Sequence, residues 1–305
     1  MVARTGIAAA GRADRLEWGR RMIAEAGAEL VDPAAAEGLV WVGGPGSELR
    51  LVLGSAPGIR WVQLPTAGVE AYDDLLSDGR TWACAKGVYA PQVAEHALAL
   101  ALAGTRRLKQ RLGARSWSED DGGQSLLGAR VVLLGGGGIA SALLSLLAPF
   151  GCRSTVVRKH PAPVPGAAEV VGSGSLHSVL PDADLVVVAL ALTAETEGVI
   201  GAPELDLMKD GAWLVNVARG RHVRTDELVA GLREGRIGAG LDVTDPEPLP
   251  DRHPLWALPN CLITPHCANP GNLSALVLAE RVKDNIRRSV AGRPLEGVVN
   301  VELGY

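Results

Sequence analysis

Short apolar runs of strand length alternate along this chain with longer runs rich in alanine and leucine. Residues 39–42 and 61–64 read as strands. Residues 93–108 read as a long helix. Its alanines make it apolar nearly all round, which predicts a helix buried between two domains. Pro91 suits the first turn of that helix. A polar stretch, 111–123, reads as a loop. The alternation then becomes regular: strand 131–134, helix 139–150, strand 154–157, a Pro/Gly-rich connection over 161–166, strands 185–191 and 213–217, helix 225–234, and strands 239–243 and 261–264. A last helix over 272–291 presents Leu276, Ala279, Val282 and Ile286 on one face, and 297–303 reads as a short strand. Such alternation predicts mostly parallel, doubly wound sheets. Apolar runs such as 185–190 fit strands covered on both faces.

The length of 305 residues suits about two domains at roughly 150 residues each. A hydrophobic share of 47% with 21% charged residues excludes a disordered chain. The net charge of −4 offers no general attraction to nucleic acid or to acidic membranes. Thirty-eight glycines, and 25 arginines against five lysines, read mostly as composition bias. Those glycines that cluster are the informative ones.

Arg4, Arg12, Asp14, Arg15, Glu17 and Arg20 leave no apolar core for an export signal. Val131 to Cys152 carries no charge and is long enough to cross a bilayer. The glycines at 135–138 inside it favour a strand, a turn and a helix instead. The four cysteines have no disulfide framework. Cys261 and Cys267 flank His266 but lack a second ligand cluster, so no metal is expected. The expectation is a soluble cytoplasmic protein with no nucleic-acid or membrane partner.

Gly135, Gly137 and Ala140 fit G-x-G-x-x-(G/A) between a strand and a helix. The first small residue permits a sharp turn, the second a close approach of pyrophosphate, and the third close packing of helix on strand. The helix N-terminus then turns unpaired N–H groups toward the phosphates. A cofactor with a free ribose 2′-hydroxyl usually meets an acidic residue at the end of the next strand. This chain has Arg158 and Lys159 there, followed by His160. A guanidinium suits a 2′-phosphate, so NADP(H) is expected in preference to NAD(H).

Further on come Val215-Asn216-Val217-Ala218-Arg219-Gly220, Gly240-Leu241-Asp242-Val243, Pro246-Glu247-Pro248-Leu249-Pro250 and Ile263-Thr264-Pro265-His266. Each polar residue follows an apolar strand, where open α/β sheets bind their ligands. With Ala67-Gly68-Val69-Glu70, Val93-Ala94-Glu95 and Leu192-Thr193-Ala194-Glu195-Thr196, these segments resemble the D-isomer-specific 2-hydroxyacid dehydrogenase family. The match runs from about Trp61 to His266 and more loosely to the C-terminus.

The resemblance implies two Rossmann/flavodoxin-like doubly wound parallel-sheet domains with an active-site cleft between them. Residues 1–99 and 271–305 would form a discontinuous substrate domain, and 100–270 the dinucleotide-binding domain. It implies hydride exchange between a nicotinamide and C2 of a 2-oxo or D-2-hydroxy acid. His266 would be the acid/base, Glu247 its partner, and Arg219 the group that binds the carboxylate and polarises the carbonyl. Gly135, Gly137, Gly138, Ile139, Arg158, Lys159, Val217, Ala218 and Asp242 would hold the cofactor, with Asp242 on the carboxamide. Ala67, Gly68 and Val69 would join Arg219 on the substrate. The chemistry calls for these types. An alkoxide forming at C2 needs a proton donor that works near neutrality, which histidine is. A nearby carboxylate stabilises the imidazolium, and a substrate carboxylate is best held by a planar, always-charged guanidinium. Asp242 has a plainer reading as a loop cap, and Glu95 as a salt-bridge partner.

The chain departs from the family at several places. Ala140 replaces a common glycine, Ala191 stands where proline is frequent, and Asn269 follows Ala268 where glycine is common. Cys267 beside His266 is unusual and reads as a small buried filler. The expected activity is an NADP(H)-preferring 2-oxo acid reductase, with glyoxylate or hydroxypyruvate as substrates by resemblance. A homodimer is expected, the loop containing Trp117 reaching toward the partner. Two other readings are a catalytically weak NADP(H)-sensing binding protein and a methyltransferase. The set of Arg219, Glu247 and His266 argues against the first, the basic Arg158 against the second.

Overall fold

The computed structural model describes residues 6–117, 119 and 122–302. The chain divides into two compact units, Met1–Tyr89 with Gly271–Tyr305, and Ala90–Pro270. The first begins with β1 (Gly6–Ala10), α1 (Leu16–Glu25), β2 (Glu29–Leu30), β3 (Gly38–Trp41), α2 (Gly46–Ser55), β4 (Trp61–Gln63) and β5 (Thr81–Ala83). All its strand pairs are parallel, in the order β2-β1-β3-β4-β5. This is the flavodoxin-like winding. One face of the sheet buries Leu39, Leu49, Val62 and Trp82.

The second unit holds α3 (Ala90–Thr105), α4 (Leu108–Leu112), β6 (Arg130–Leu134), α5 (Gly138–Leu147), β7 (Arg153–Arg158), β8 (Glu169–Gly172) and α6 (Leu176–Val179). It continues through β9 (Leu185–Val188), α7 (Ala202–Leu207), β10 (Trp213–Asn216), α8 (Thr225–Arg233), β11 (Gly238–Leu241) and β12 (Cys261–Ile263). Its seven parallel strands run β12-β11-β10-β9-β6-β7-β8. Counted from β6, this is the Rossmann order 3-2-1-4-5-6 with one further strand. The winding reverses between β6 and β9, and a ligand crevice opens there at the carboxyl ends of the strands. Strands β9, β10 and β11 are buried at every position, because helices cover both faces. The doubly wound α/β class expected from the sequence is therefore found.

The chain then returns to the first unit through α9 (Gly271–Val290), which packs on α1. Val282 and Ile286 of α9 close that unit's second core with Ile7, Met22 and Ile23.

Several elements carry no pattern that separates them from loop. Strand β1 is Gly-Ile-Ala-Ala-Ala, and β2 has only two residues, both exposed. A unit boundary between residues 99 and 100 would cut α3. The compact units part between Tyr89 and Ala90 instead, and the whole of α3 packs against α5, β10 and β11. Helix α4 takes the first two residues of the expected polar loop. The segment from Gly297 makes one antiparallel bridge, Val298 to Ala83, rather than a strand, and Leu303 lies outside the described residues. The uncharged run from Val131 is β6, a glycine turn and α5. No helix among the described residues is long and apolar enough to cross a membrane.

Candidate active site

Strand β6 ends at the glycine turn. Gly135 has φ +106°, and a Cβ there would lie 2.4 Å from the Ala189 carbonyl oxygen, so only glycine fits. Gly137 caps α5 without a side-chain hydrogen bond, and nothing lies within 4 Å of where its Cβ would be. This open space sits in front of the N–H groups of the first turn, at Gly138 and Ile139, which have no acceptor within the helix. Ala140 is fully buried and lets α5 lie close to the sheet. The turn therefore fits a pyrophosphate.

Arg158 ends β7 and crosses the glycine turn. Its Cδ, Nε and Nη1 atoms lie 3.0–3.3 Å from the Cβ position of Gly136. The guanidinium has no hydrogen bond or ion pair with any described residue. Lys159 differs. Its amino group is held by both carboxylate oxygens of Glu195, at 2.8 and 2.7 Å.

Val217, Ala218 and Arg219 follow β10. Val217 and Ala218 are buried. The buried Asn216 closes this turn: its Oδ1 accepts from the Ala218 N–H at 3.1 Å, and its Nδ2 donates to the Arg219 carbonyl at 2.8 Å. Gly220 passes so near the next strand end that a Cβ would sit 1.9 Å from the Thr244 carbonyl oxygen. The half-buried Arg219 side chain donates from Nη1 to the Ala218 carbonyl at 2.7 Å.

Asp242 follows β11 and is 2% exposed. Its Oδ1 accepts from Thr264 Oγ1 at 2.6 Å, from the Cys267 N–H at 2.9 Å and from His96 Nε2 at 3.3 Å; its Oδ2 accepts from the Ala268 N–H at 3.0 Å. Burial alone would raise its pKa. The bonds from His96, Thr264, Cys267 and Ala268 outweigh that and hold the carboxyl at about 2. Asp242 is thus an anion that anchors the loop after β12. Its backbone oxygen also takes the His266 N–H at 2.8 Å.

His266 has φ +49°, an uncommon conformation for a residue with a side chain. Its Nδ1 meets Glu247 Oε1 at 2.6 Å, while Nε2 has no partner among the described residues. Glu247 lies between two cis-prolines, Pro246 and Pro248. Cys267 is exposed rather than the buried filler expected, although its amide donates to Asp242 at 2.9 Å and its thiol lies near the same carboxylate. Partial burial, and then the Asp242 charge, push its thiol up and disfavour the thiolate. His96, Asp242 and Cys267 bring their ligand atoms within 4.8 Å of one another. These groups already satisfy one another, with the Thr264 hydroxyl accepting from His96 at 2.9 Å.

Ala67, Gly68 and Val69 belong to the first unit. The Val69 side chain is 1% exposed in that unit's core. The N–H groups of Gly68 and Val69 have no acceptor among the described residues.

Residues 96–268 match the family model of the D-isomer specific 2-hydroxyacid dehydrogenase, NAD binding domain. The chain belongs to the D-isomer specific 2-hydroxyacid dehydrogenase family. It is accordingly an NAD(P)-dependent oxidoreductase acting on a CH–OH group. Among its relatives is a protein from the proB 3′ region of Corynebacterium melassecola, 39% identical over 83% of this chain and 88% of the relative. The human glyoxylate reductase/hydroxypyruvate reductase is 30% identical over 86% of this chain and 83% of that protein. A family member from Xanthobacter autotrophicus Py2, solved with NADPH and MES, has a TM-score of 0.84 and 28% identity, covering 99% of this chain and 100% of that one.

Within Ala90–Pro270 the structure brings His266 onto Glu247 and places Arg158 over the glycine turn. Sequence reading passed over His96, Asn216 and His222. His96 and His222 act through contacts far apart in the chain, for which spacing holds no signal, whereas Asn216 closes its own turn.

Proposed function

We propose that this enzyme is an NADP(H)-preferring reductase of small 2-oxo acids, of the glyoxylate/hydroxypyruvate type, giving D-2-hydroxy acids. Ala90–Pro270 binds the dinucleotide, and the N–H groups of Gly68 and Val69 are donors for the substrate carboxylate. The observation that carries this reading is the 2.6 Å contact of His266 Nδ1 with Glu247, which leaves Nε2 open for proton transfer.

When bound, the nicotinamide supplies or accepts the hydride at substrate C2. Arg219 holds the substrate carboxylate through its planar fork and polarises the carbonyl. His266 delivers the Nε2 proton to the substrate oxygen as negative charge develops there. Glu247 keeps the Nδ1 proton in place and stabilises the imidazolium that serves as the acid. In the oxidative direction the same Nε2 takes the proton from the hydroxyl. Asp242 fixes the loop that carries His266, and its Oδ2 keeps lone-pair capacity for the carboxamide. Arg158 meets the 2′-phosphate.

The test is oxidation of NADPH and of NADH against 2-oxo acids graded in length, charge and bulk. Turnover is expected with short substrates and is faster with NADPH. Tight NADPH binding without turnover across the whole series would favour a sensing role instead.

A homodimer is part of the same reading, with the loop of the exposed Trp117 toward the partner. Sedimentation velocity is expected to give the dimer mass, and a monomer at assay concentration would refute it.

A further inference from the structure

His222 is 0% exposed, and no step of the chemistry above uses it. Both of its ring nitrogens meet backbone of two loops that reach the carboxyl edge of the sheet. Nδ1 lies 3.2 Å from the Arg219 backbone nitrogen and 3.1 Å from the Arg219 carbonyl oxygen, so it meets both backbone groups of that residue. Nε2 lies 3.3 Å from the Ala191 carbonyl oxygen, which can only accept, so Nε2 carries the proton. With its proton on Nε2 toward Ala191, the neutral ring leaves Nδ1 to accept from the Arg219 N–H.

The surrounding contacts point the same way. The His222 backbone N–H returns to the Arg219 carbonyl at 3.2 Å, and Asn216 Nδ2 takes that same carbonyl at 2.8 Å. Thr196 Oγ1 donates to the Ala191 carbonyl at 2.8 Å. The turn carrying Arg219 is therefore joined, through one buried ring, to the loop after β9. Gly220, hard against Thr244, leaves that turn little room to settle elsewhere.

We infer that His222 is a positioning residue for Arg219: through Nδ1 it holds the backbone from which the guanidinium reaches the substrate carboxylate, and through Nε2–H it registers that backbone against the loop at Ala191. This rests on the reading of Arg219 as the carboxylate-binding group. His222 does not touch substrate. It governs where Arg219 can.

Two variants of similar polarity separate the ring's two ends. In His222→Asn the Oδ1 atom stands near the place of Nδ1 and still accepts from the Arg219 N–H. In His222→Gln the amide reaches the place of Nε2 and donates to Ala191, but the Nδ1 acceptor of the Arg219 N–H is gone. KM and kcat for the best 2-oxo acid are compared with the affinity for oxamate, a non-reducible carboxylate isostere, in the presence of NADPH. His222→Gln is expected to raise KM and weaken oxamate by about fivefold to tenfold, the loss of one hydrogen bond to a well-held donor. His222→Asn, which gives up only the Ala191 contact, is expected to lose less than His222→Gln, and NADPH affinity to hold in both.

Equal KM and oxamate values in the two variants, or a larger loss in His222→Asn, would overturn the inference, as would NADPH affinity falling in step. An Arg219→Gln enzyme that binds oxamate like wild type would sink the reading of Arg219 itself. Loss of oxamate binding in Arg219→Gln, with His222→Asn and His222→Gln alike, would sink only the role of His222.

Discussion

Replacing His266 with asparagine is expected to lower kcat about 10²–10⁴-fold, the range over which a positioned acid/base group contributes. NADPH affinity is expected to stay close to wild type, because Gly135, Gly137 and Arg158 lie on other elements. Asparagine is the informative substitute for a physical reason. His266 sits at φ +49°, a conformation that asparagine tolerates better than most residues. The loop is also tied independently of the ring, by the backbone N–H groups of His266, Cys267 and Ala268 on Asp242. The side chain can thus change while its support stays. An alanine at the same place would confound lost chemistry with a strained turn. Asparagine keeps a polar group but offers no proton donor that works near neutrality. The measurements are steady-state NADPH oxidation and a fluorescence titration of NADPH on the same preparation. Turnover within a few-fold of wild type would end the role given to His266. A parallel loss of NADPH binding would show that the loop, and not the proton, was removed.

What could be read from the chain follows from where the determining contacts lie. Strands β9 and β10 announce themselves because both faces are buried and every position but the closing Asn216 is apolar. Strand β1 is nearly as buried but built mostly from alanine, whose propensity favours helix rather than strand. The glycine turn was readable because its small residues are demanded by local backbone geometry, as at Gly135. The order of Arg219, Asp242, Glu247 and His266 was readable through the family resemblance, although the His266–Glu247 contact spans 19 positions. Partners supplied from a distance were not. Lys159 faces Glu195, 36 positions on, and His222 meets Ala191, 31 positions back. Spacing along the chain is silent about such pairs. Cys267 shows the same limit: its neighbours in sequence do not reveal that it is exposed while its amide is bound to Asp242, 25 positions back.

Exchanging Arg158 for aspartate is expected to reverse the coenzyme preference. One charge-assisted contact to a 2′-phosphate is worth about 1.5–3 kcal/mol, or roughly a 10- to 150-fold preference for NADPH. Removing it takes that preference away. A carboxylate in its place adds repulsion of the phosphate and offers an acceptor to the free ribose hydroxyls of NADH. Two features make Arg158 the decisive position rather than its neighbour. Its guanidinium lies over Gly136 and meets no described residue, so phosphate contact costs no existing bond. Lys159 is already paired with Glu195, and both side chains are largely exposed, 49% and 66%. An ion pair in that setting contributes about 0–1 kcal/mol and weakens with salt. Removing Lys159 is therefore expected to shift the preference much less than removing Arg158. The measurement is kcat/KM for NADPH and NADH in wild type, Arg158→Asp and Lys159→Ala, with dissociation constants for both coenzymes from fluorescence. The wild-type enzyme should favour NADPH, Arg158→Asp should favour NADH, and Lys159→Ala should remain close to wild type. If Arg158→Asp keeps its NADPH preference, the 2′-phosphate is held elsewhere. A larger loss in Lys159→Ala would mean that Lys159 leaves Glu195 to take the phosphate.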